Sequence, residues 1–139
     1  MKKVSYILVT FMLFVSLVSC GQKVSTNDLW QTALYTEDTE IGNGEKTLTV
    51  KVTTEEKSVA LTLHTDKETL GDALTEHELI SGEQGGYGLY VKTVNGIYAD
   101  YNKTKSYWSV NKDGEYMTVG VDSAQIEDGE VYDFIYTEN

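Results

Sequence analysis

The chain has only two histidines, and one of them opens the group of residues best suited to holding a cation. His64, Asp66 and Glu68 fall beside an expected helix start, where an imidazole and two carboxylates could form a weak transition-metal site with water as the competing ligand. No thiolate can join them, because the single cysteine, Cys20, is the expected lipidation site. Hard-cation loops need alternating oxygens, a glycine and a later glutamate. Neither Asn111–Glu115 nor Glu127–Glu130 has that pattern, and both read as hairpin turns. Nucleophilic catalysis needs a hydroxyl or thiol beside a base. His77 lies on an apolar helical stripe and reads as a core-edge residue, while His64 reads as a strand-end residue. Carboxylates are so numerous, 22 in all, that their pairing carries no weight. The side chains point to a binding protein and not to an enzyme.

Tyrosine is the conspicuous excess. Ten occur, and Tyr87, Tyr90, Tyr98, Tyr101, Tyr107, Tyr116, Tyr132 and Tyr136 crowd residues 87–136. A tyrosine offers large contact area at low entropic cost and keeps a polar tip, so Tyr90, Tyr98, Tyr101 and Tyr107 are the candidate ligand contacts. Pleated strands also favour tyrosine for packing, and Tyr132 and Tyr136 read that way. The adjacent pair Tyr107-Trp108 is resolved by alternation: on a strand from Ser106 to Asn111, Trp108 shares a face with Val110, and Tyr107 shares the other with Ser109 and Asn111. The apolar pair is expected to point inward.

These residues need a scaffold to position them. Leu48-Val50-Val52 and Val59-Ala60-Leu61-Leu63 alternate with polar residues as a half-buried hairpin does. Leu70, Ala73, Leu74 and His77 fall on one helical stripe behind a Thr65–Glu68 capping pattern, which predicts a helix over 68–79. Glycines at 82, 85, 86 and 88 end it. Asn95-Gly96, Asp113-Gly114 and Asp128-Gly129 mark turns, and a closing strand runs from Val131 to Tyr136. Trp30 and its apolar neighbours in 28–35 should pack onto the domain, whereas 36–46 reads as an exposed connection. The expected fold is α+β, one helix on a small mixed or antiparallel sheet of the β-grasp kind.

Residues 1–19 read as a secretion leader, with Lys2 and Lys3 before an apolar run. Leu17-Val18-Ser19-Cys20-Gly21 matches a lipoprotein cleavage site, so Cys20 is the expected lipidation site, and two acyl chains there would give stable anchoring. The run of about 13 apolar residues is short for a membrane span. The expected organisation is leader 1–19, tether 20–28 and domain 29–139, on the outer face of the cell membrane. Removing Lys2 and Lys3 with the leader takes the net charge from −11 to −13. An acidic chain without arginine is repelled by phosphate backbones, which argues against nucleic acid as a partner.

Several segments together carry a family resemblance. LGDALTEHELI, GGYGLYVKTVNGIYADY, SYWSVN and GVDSAQIEDGEVYDFIY resemble the C-terminal β-domain of transcobalamin and intrinsic factor, in the stand-alone lipoprotein form of Gram-positive bacteria. The resemblance spans about 30–139. Its most specific parts are Tyr87-Gly88, Val94-Asn95-Gly96, Tyr107-Trp108, and Gly120-Val121 followed by Asp128-Gly129. It implies a non-enzymatic ligand-binding or docking module that covers one face of its ligand. The resemblance also implies a narrower possibility, capture of a corrinoid (cobalamin-type) for a membrane transporter; a divalent-metal-binding lipoprotein is the alternative that the His64, Asp66 and Glu68 group leaves open.

Overall fold

The computed structural model describes residues 28–139; the leader, Cys20 and the tether up to residue 27 lie outside the described residues. After one 3₁₀ turn at Leu29–Thr32, the chain forms Thr39–Gly42 (β1), Lys46–Thr53 (β2), Ser58–Thr65 (β3), Leu70–Thr75 (α1), Ile80–Gly85 (β4) and Gly88–Val94 (β5). It continues through Ile97–Tyr98 (β6), Tyr101–Thr104 (α2), Ser106–Lys112 (β7), Glu115–Tyr116 (β8) and Val131–Glu138 (β9). The fold is mostly β, with two short helices.

One sheet is six-stranded and mixed, in the order β1-β3-β2-β9-β7-β8, and the other is the antiparallel trio β4-β5-β6. The alternation in β2 and β3 works as expected, since Leu48 faces Leu63 and Val50 faces Leu61 across an antiparallel ladder. Strand β9 pairs parallel to β2 and antiparallel to β7, which sets Val52 beside Phe134 and Val110 beside Phe134 on one face. That face is the core: Leu48, Val50, Val52, Val59, Leu61, Leu63, Tyr132 and Phe134 are at most 2% exposed. Leu70, Leu74, Ile80, Val94, Ile97 and Trp108 belong to the same cluster. Burial of that apolar area is the main stabilising term.

The expected helix over 68–79 is shorter and starts later. Thr69 is the N-cap, its hydroxyl accepting from the Asp72 N–H at 3.3 Å, whereas the Thr65 hydroxyl accepts from the Lys67 N–H at 3.0 Å in a local turn. The apolar stripe is nonetheless right, with Leu70, Ala73 and Leu74 fully buried. Glu78 ends the segment in the left-handed region at φ 56, and the Leu79 N–H reaches back to the Leu74 carbonyl at 2.9 Å, as in a Schellman termination.

Two strands were not expected. β1 lies within the stretch read as an exposed connection, where it pairs parallel to β3, with the Asp38 carboxylate accepting the Ala60 N–H at 2.8 Å. β4 occupies the glycine cluster, and Gly82 there sits at a register shift opposite β5. A Cβ on Gly82 would lie 1.8 Å from the Tyr90 carbonyl oxygen, so the two strands can approach only because that residue is glycine. Asp128-Gly129 is a turn but not a hairpin turn: the Asp128 carboxylate accepts the Thr47 N–H at 2.6 Å and leads the chain into β9 beside β2. The 28–35 segment packs as expected, with Trp30 buried and its Nε1 donating to Thr54 Oγ1 at 2.8 Å.

Candidate ligand groove

Strand β7 pairs with β8 only through Asn111 and Lys112, so on the edge away from β9 its Trp108–Val110 stretch faces a groove. The opposite wall is Leu89, Tyr90 and Val91 of β5, and residues 116–121 close the remaining side, around a cavity of about 260 Å³. Trp108 is 8% exposed. Its ring meets Tyr136 edge-on at 5.5 Å and its Nε1 donates to the Ile97 carbonyl at 3.2 Å, so the indole is held from two directions.

The rim is apolar and wet. Tyr90 and Val119 are each 51% exposed, Tyr116 is 69% exposed, and Tyr87 stands fully in solvent at the β4-β5 turn. Local geometry holds these residues together: Asp122 Oδ2 accepts the Leu89 N–H at 2.9 Å, the Val121 carbonyl accepts the Gly71 N–H at 2.9 Å, and Gly120 comes close to the Tyr87 carbonyl. A larger cleft of about 360 Å³ lies elsewhere, lined by Leu29, Thr54, Glu55, Glu56, Thr104, Tyr136 and Glu138. Five of its seven lining residues have polar or charged side chains, and its one aromatic residue, Tyr136, is half-buried and donates its hydroxyl to Ser106 Oγ at 2.9 Å. Clustered exposed apolar groups are the costlier feature for a folded chain and the stronger sign of a binding surface.

Of the four candidate tyrosines, the structure brings only Tyr90 to the groove. Tyr98 donates its hydroxyl to Asp100 Oδ2 at 2.8 Å, Tyr101 lies at the start of α2 with the Lys105 ammonium 5.3 Å from its ring, and Tyr107 is on the opposite sheet face from Trp108. The inward Trp108 and outward Tyr107 follow the expected alternation. Tyr87, Tyr116, Met117 and Val119 were not singled out as contacts. The Tyr87-Gly88 and Gly120-Val121 motifs are the sequence signals that flank them.

His64, Asp66 and Glu68 do not converge. The His64 ring bonds Glu40 through Nε2 and Thr47 Oγ1 through Nδ1, while Asp66 Oδ1 accepts the Glu45 N–H at 2.9 Å. Glu68 is an exposed residue whose backbone carbonyl accepts the Ile126 N–H. Among the described residues there is no group of three His, Cys, Asp or Glu side chains able to hold a metal ion. The intended site fails because β1, absent from the expected fold, supplies Glu40 to the imidazole. His77 is half-buried beside Glu76, as expected of a core-edge histidine.

Behind Tyr90 an ion network ties β4, β5 and α2. Lys92 Nζ lies 3.0 Å from both Glu83 Oε1 and Asp100 Oδ2. The Tyr98 hydroxyl and then the Lys92 ammonium hold the Asp100 carboxyl down at about 2, and the hydrogen bonds to Glu83 and then to Asp100 raise the Lys92 ammonium. A carboxylate with a lowered folded pKa contributes stability that is complete above its unfolded value of about 4 and is lost as pH falls through the folded value. Asp100→Asn keeps the oxygen that caps α2 at the Asn102 N–H but removes the charge. Its melting temperature should therefore fall less steeply than the parent's between pH 4 and pH 2 in matched thermal scans. Parallel curves for the two proteins would show that the network does not supply this dependence.

Comparison with known proteins follows the same lines. The family described as a domain of unknown function, DUF4430, matches residues 67–138. A protein of Ruminococcus gnavus ATCC 29149 to which metal binding has been ascribed, solved at 1.30 Å, is 30% identical, with a TM-score of 0.64 over 68% of this chain and 99% of that one. Haptocorrin in complex with Cbi shares the fold at 16% identity, with a TM-score of 0.54 over 70% of this chain. The match spans only 26% of haptocorrin. No curated protein matches the chain.

Proposed function

The chain belongs to the DUF4430 family, and from that premise we propose that it is a non-enzymatic binding module which receives the apolar edge of a ligand between β5 and residues 116–121. The observation that carries the reading is the rim of Tyr90, Tyr116 and Val119, exposed around the otherwise buried Trp108. At about 260 Å³, the groove is smaller than the ~300–1,000 Å³ of sites that enclose a drug-sized molecule. It suits a ligand covered from one side.

In this reading, lipid on Cys20 holds the module at the outer membrane face. Cys20→Ser should leave an unprocessed precursor with no lipid label when cells are grown with labelled palmitate; normal maturation of that variant would remove the anchor from the proposal.

A second reading, corrinoid capture for a transporter, is favoured by the haptocorrin-like fold and uses the same groove. The ascribed metal binding of the Ruminococcus protein suggests metal as a further ligand, but the described residues offer no three-donor cluster to receive it. Cobinamide titrated into the chain from Gly21 onward should quench its tryptophan emission saturably, after correction for absorption, if corrinoid is the ligand. Val119→Asp should weaken that binding at least tenfold, because a carboxylate would then have to be desolvated at the contact. A flat titration would reject corrinoid; thermal-shift screening with haem, metals and glycans then tests the broader reading. Any ligand whose binding is unchanged by both Val119→Asp and Tyr90→Ala is bound elsewhere and would overturn the groove assignment.

A further inference from the structure

The groove beside β7 is lined edge-on. A strand that turns its face to a cavity contributes alternate residues, but Trp108, Ser109 and Val110 line this one consecutively, as do Leu89, Tyr90 and Val91 of the facing strand. Consecutive lining brings the main chain to the cavity. On β7 the direction of each peptide group follows from its neighbours. The Lys105 carbonyl accepts the Asn139 N–H at 3.0 Å and the Asp113 N–H donates to the Val131 carbonyl at 2.7 Å, so the odd-numbered residues of β7 turn their main-chain groups toward β9. The even-numbered residues turn theirs the other way, where the Val110 carbonyl accepts the Met117 N–H at 2.9 Å. No strand among the described residues pairs with β7 on that side before Asn111. The Trp108 N–H and C=O and the Val110 N–H are therefore left outside any ladder.

We propose that this edge of β7 takes up an extended peptide segment of another protein as an added strand, with an apolar side chain set down beside Trp108 and Val110. The proposal rests on the groove reading above and names the class of its occupant. Donors and acceptors repeated along an open strand edge are matched by another main chain, and exposed sheet edges bind peptides in this way. Pairing at Trp108 exchanges two hydrogen bonds, and the Val110 N–H supplies a third. On the facing strand the Leu89 N–H is already taken by Asp122, which leaves β7 as the better pairing edge.

Side-chain chemistry narrows the segment further. The side chains of an added strand alternate between the two faces of the sheet, so every second one meets the inner side, where Trp108 and Val110 point. None of the residues lining the groove is charged, and a charge placed there would have to shed its water, so the inner positions of the segment are apolar. In a chain of net charge −11, an acidic segment is repelled, and neutral or basic flanks are favoured.

The test is selection from a phage library of random short peptides on the chain from Gly21 onward, followed by fluorescence polarisation with the selected sequences made synthetically. Enriched peptides should be apolar at alternate central positions and free of acidic flanks. Replacing their amides by esters one at a time removes an N–H without adding bulk. Binding should weaken about tenfold at the one position that meets the Trp108 carbonyl, and little elsewhere. Val110→Pro removes the edge N–H and nothing from the β9 ladder; it should weaken the same peptides about tenfold while the thermal melt stays cooperative. If that variant fails to fold, the ester scan decides alone. No enriched peptide, or ester effects at no position or at all positions alike, overturns main-chain pairing. Peptides that keep full affinity for Val119→Asp bind outside the groove and overturn it as well. If no peptide is selected but cobinamide binds and loses affinity in Val119→Asp, the groove reading stands and only its peptide occupant is removed. Concentration-dependent sedimentation abolished by Val110→Pro, with no peptide selected, would instead assign the edge to a second copy of the chain.

Discussion

Trp108→Ala should lower stability by about 3–5 kcal/mol, the usual cost of truncating a large buried aromatic side chain, and that is a large share of a typical domain's ~5–15 kcal/mol. The indole supports three elements at once. It is edge-on to Tyr136 of β9, it donates to the Ile97 carbonyl of β6, and it belongs to the floor of the groove with Leu89 and Val91 of β5. Its removal leaves a void between the two sheets and takes one hydrogen bond from the Ile97 carbonyl of the β5-β6 hairpin. Trp108→Phe retains most of the packing but not the donor, so its loss should be smaller, about 0.5–1.5 kcal/mol, the usual net contribution of one hydrogen bond. Urea melts of the three proteins measure both steps. Parent-like stability of Trp108→Ala would mean that the ring serves ligand contact and not the core.

How far this site could be read from the sequence depends on the distance between its parts. Alternation in Ser106–Asn111 was enough to send Trp108 inward and Tyr107 outward, because a strand's two faces are a local property. The same reasoning found the β2-β3 hairpin and the stripe of α1. It missed β1, a four-residue strand of mixed polarity. Such a strand is defined by its partner β3 and not by its own pattern. β4 was hidden for a related reason: glycine reads as a breaker, yet Gly82 is required by the closeness of the Tyr90 backbone. The candidate contacts suffered most. Tyr90, Tyr98 and Tyr101 are similar in composition and neighbourhood along the chain, and only the Asp100 hydrogen bond of Tyr98 and the helix start at Tyr101 separate them from a ligand contact. His64 gave the opposite error, since its strongest partner, Glu40, comes from 24 residues away.

A residue that sequence reading treats as a simple turn former has the second large expected effect. Asn95 has φ 51, in the left-handed region that asparagine and glycine tolerate best, and this suits the Asn-Gly hairpin. The same residue is fully buried. Its Oδ1 accepts the Tyr35 N–H at 2.9 Å and its Nδ2 donates to the Tyr35 carbonyl at 2.8 Å, so one amide closes a ring with a backbone 60 residues away. The Leu34 N–H adds a third bond to the Asn95 carbonyl at 3.0 Å. Together they fasten the segment that carries Trp30 to the β5-β6 hairpin, and hence the proposed tether to the body of the domain. Asn95→Gly keeps the backbone conformation and removes the two side-chain bonds, for an expected loss of about 1–3 kcal/mol. Asn95→Ala loses the same bonds and adds about 1–2 kcal/mol for a left-handed alanine. Both variants should also speed proteolysis within 28–38 relative to the rest of the chain, because that segment would open before the core does. If the glycine variant matched the parent in both stability and cleavage, the amide would be a turn residue alone, and the Trp30 segment would be held by its indole packing.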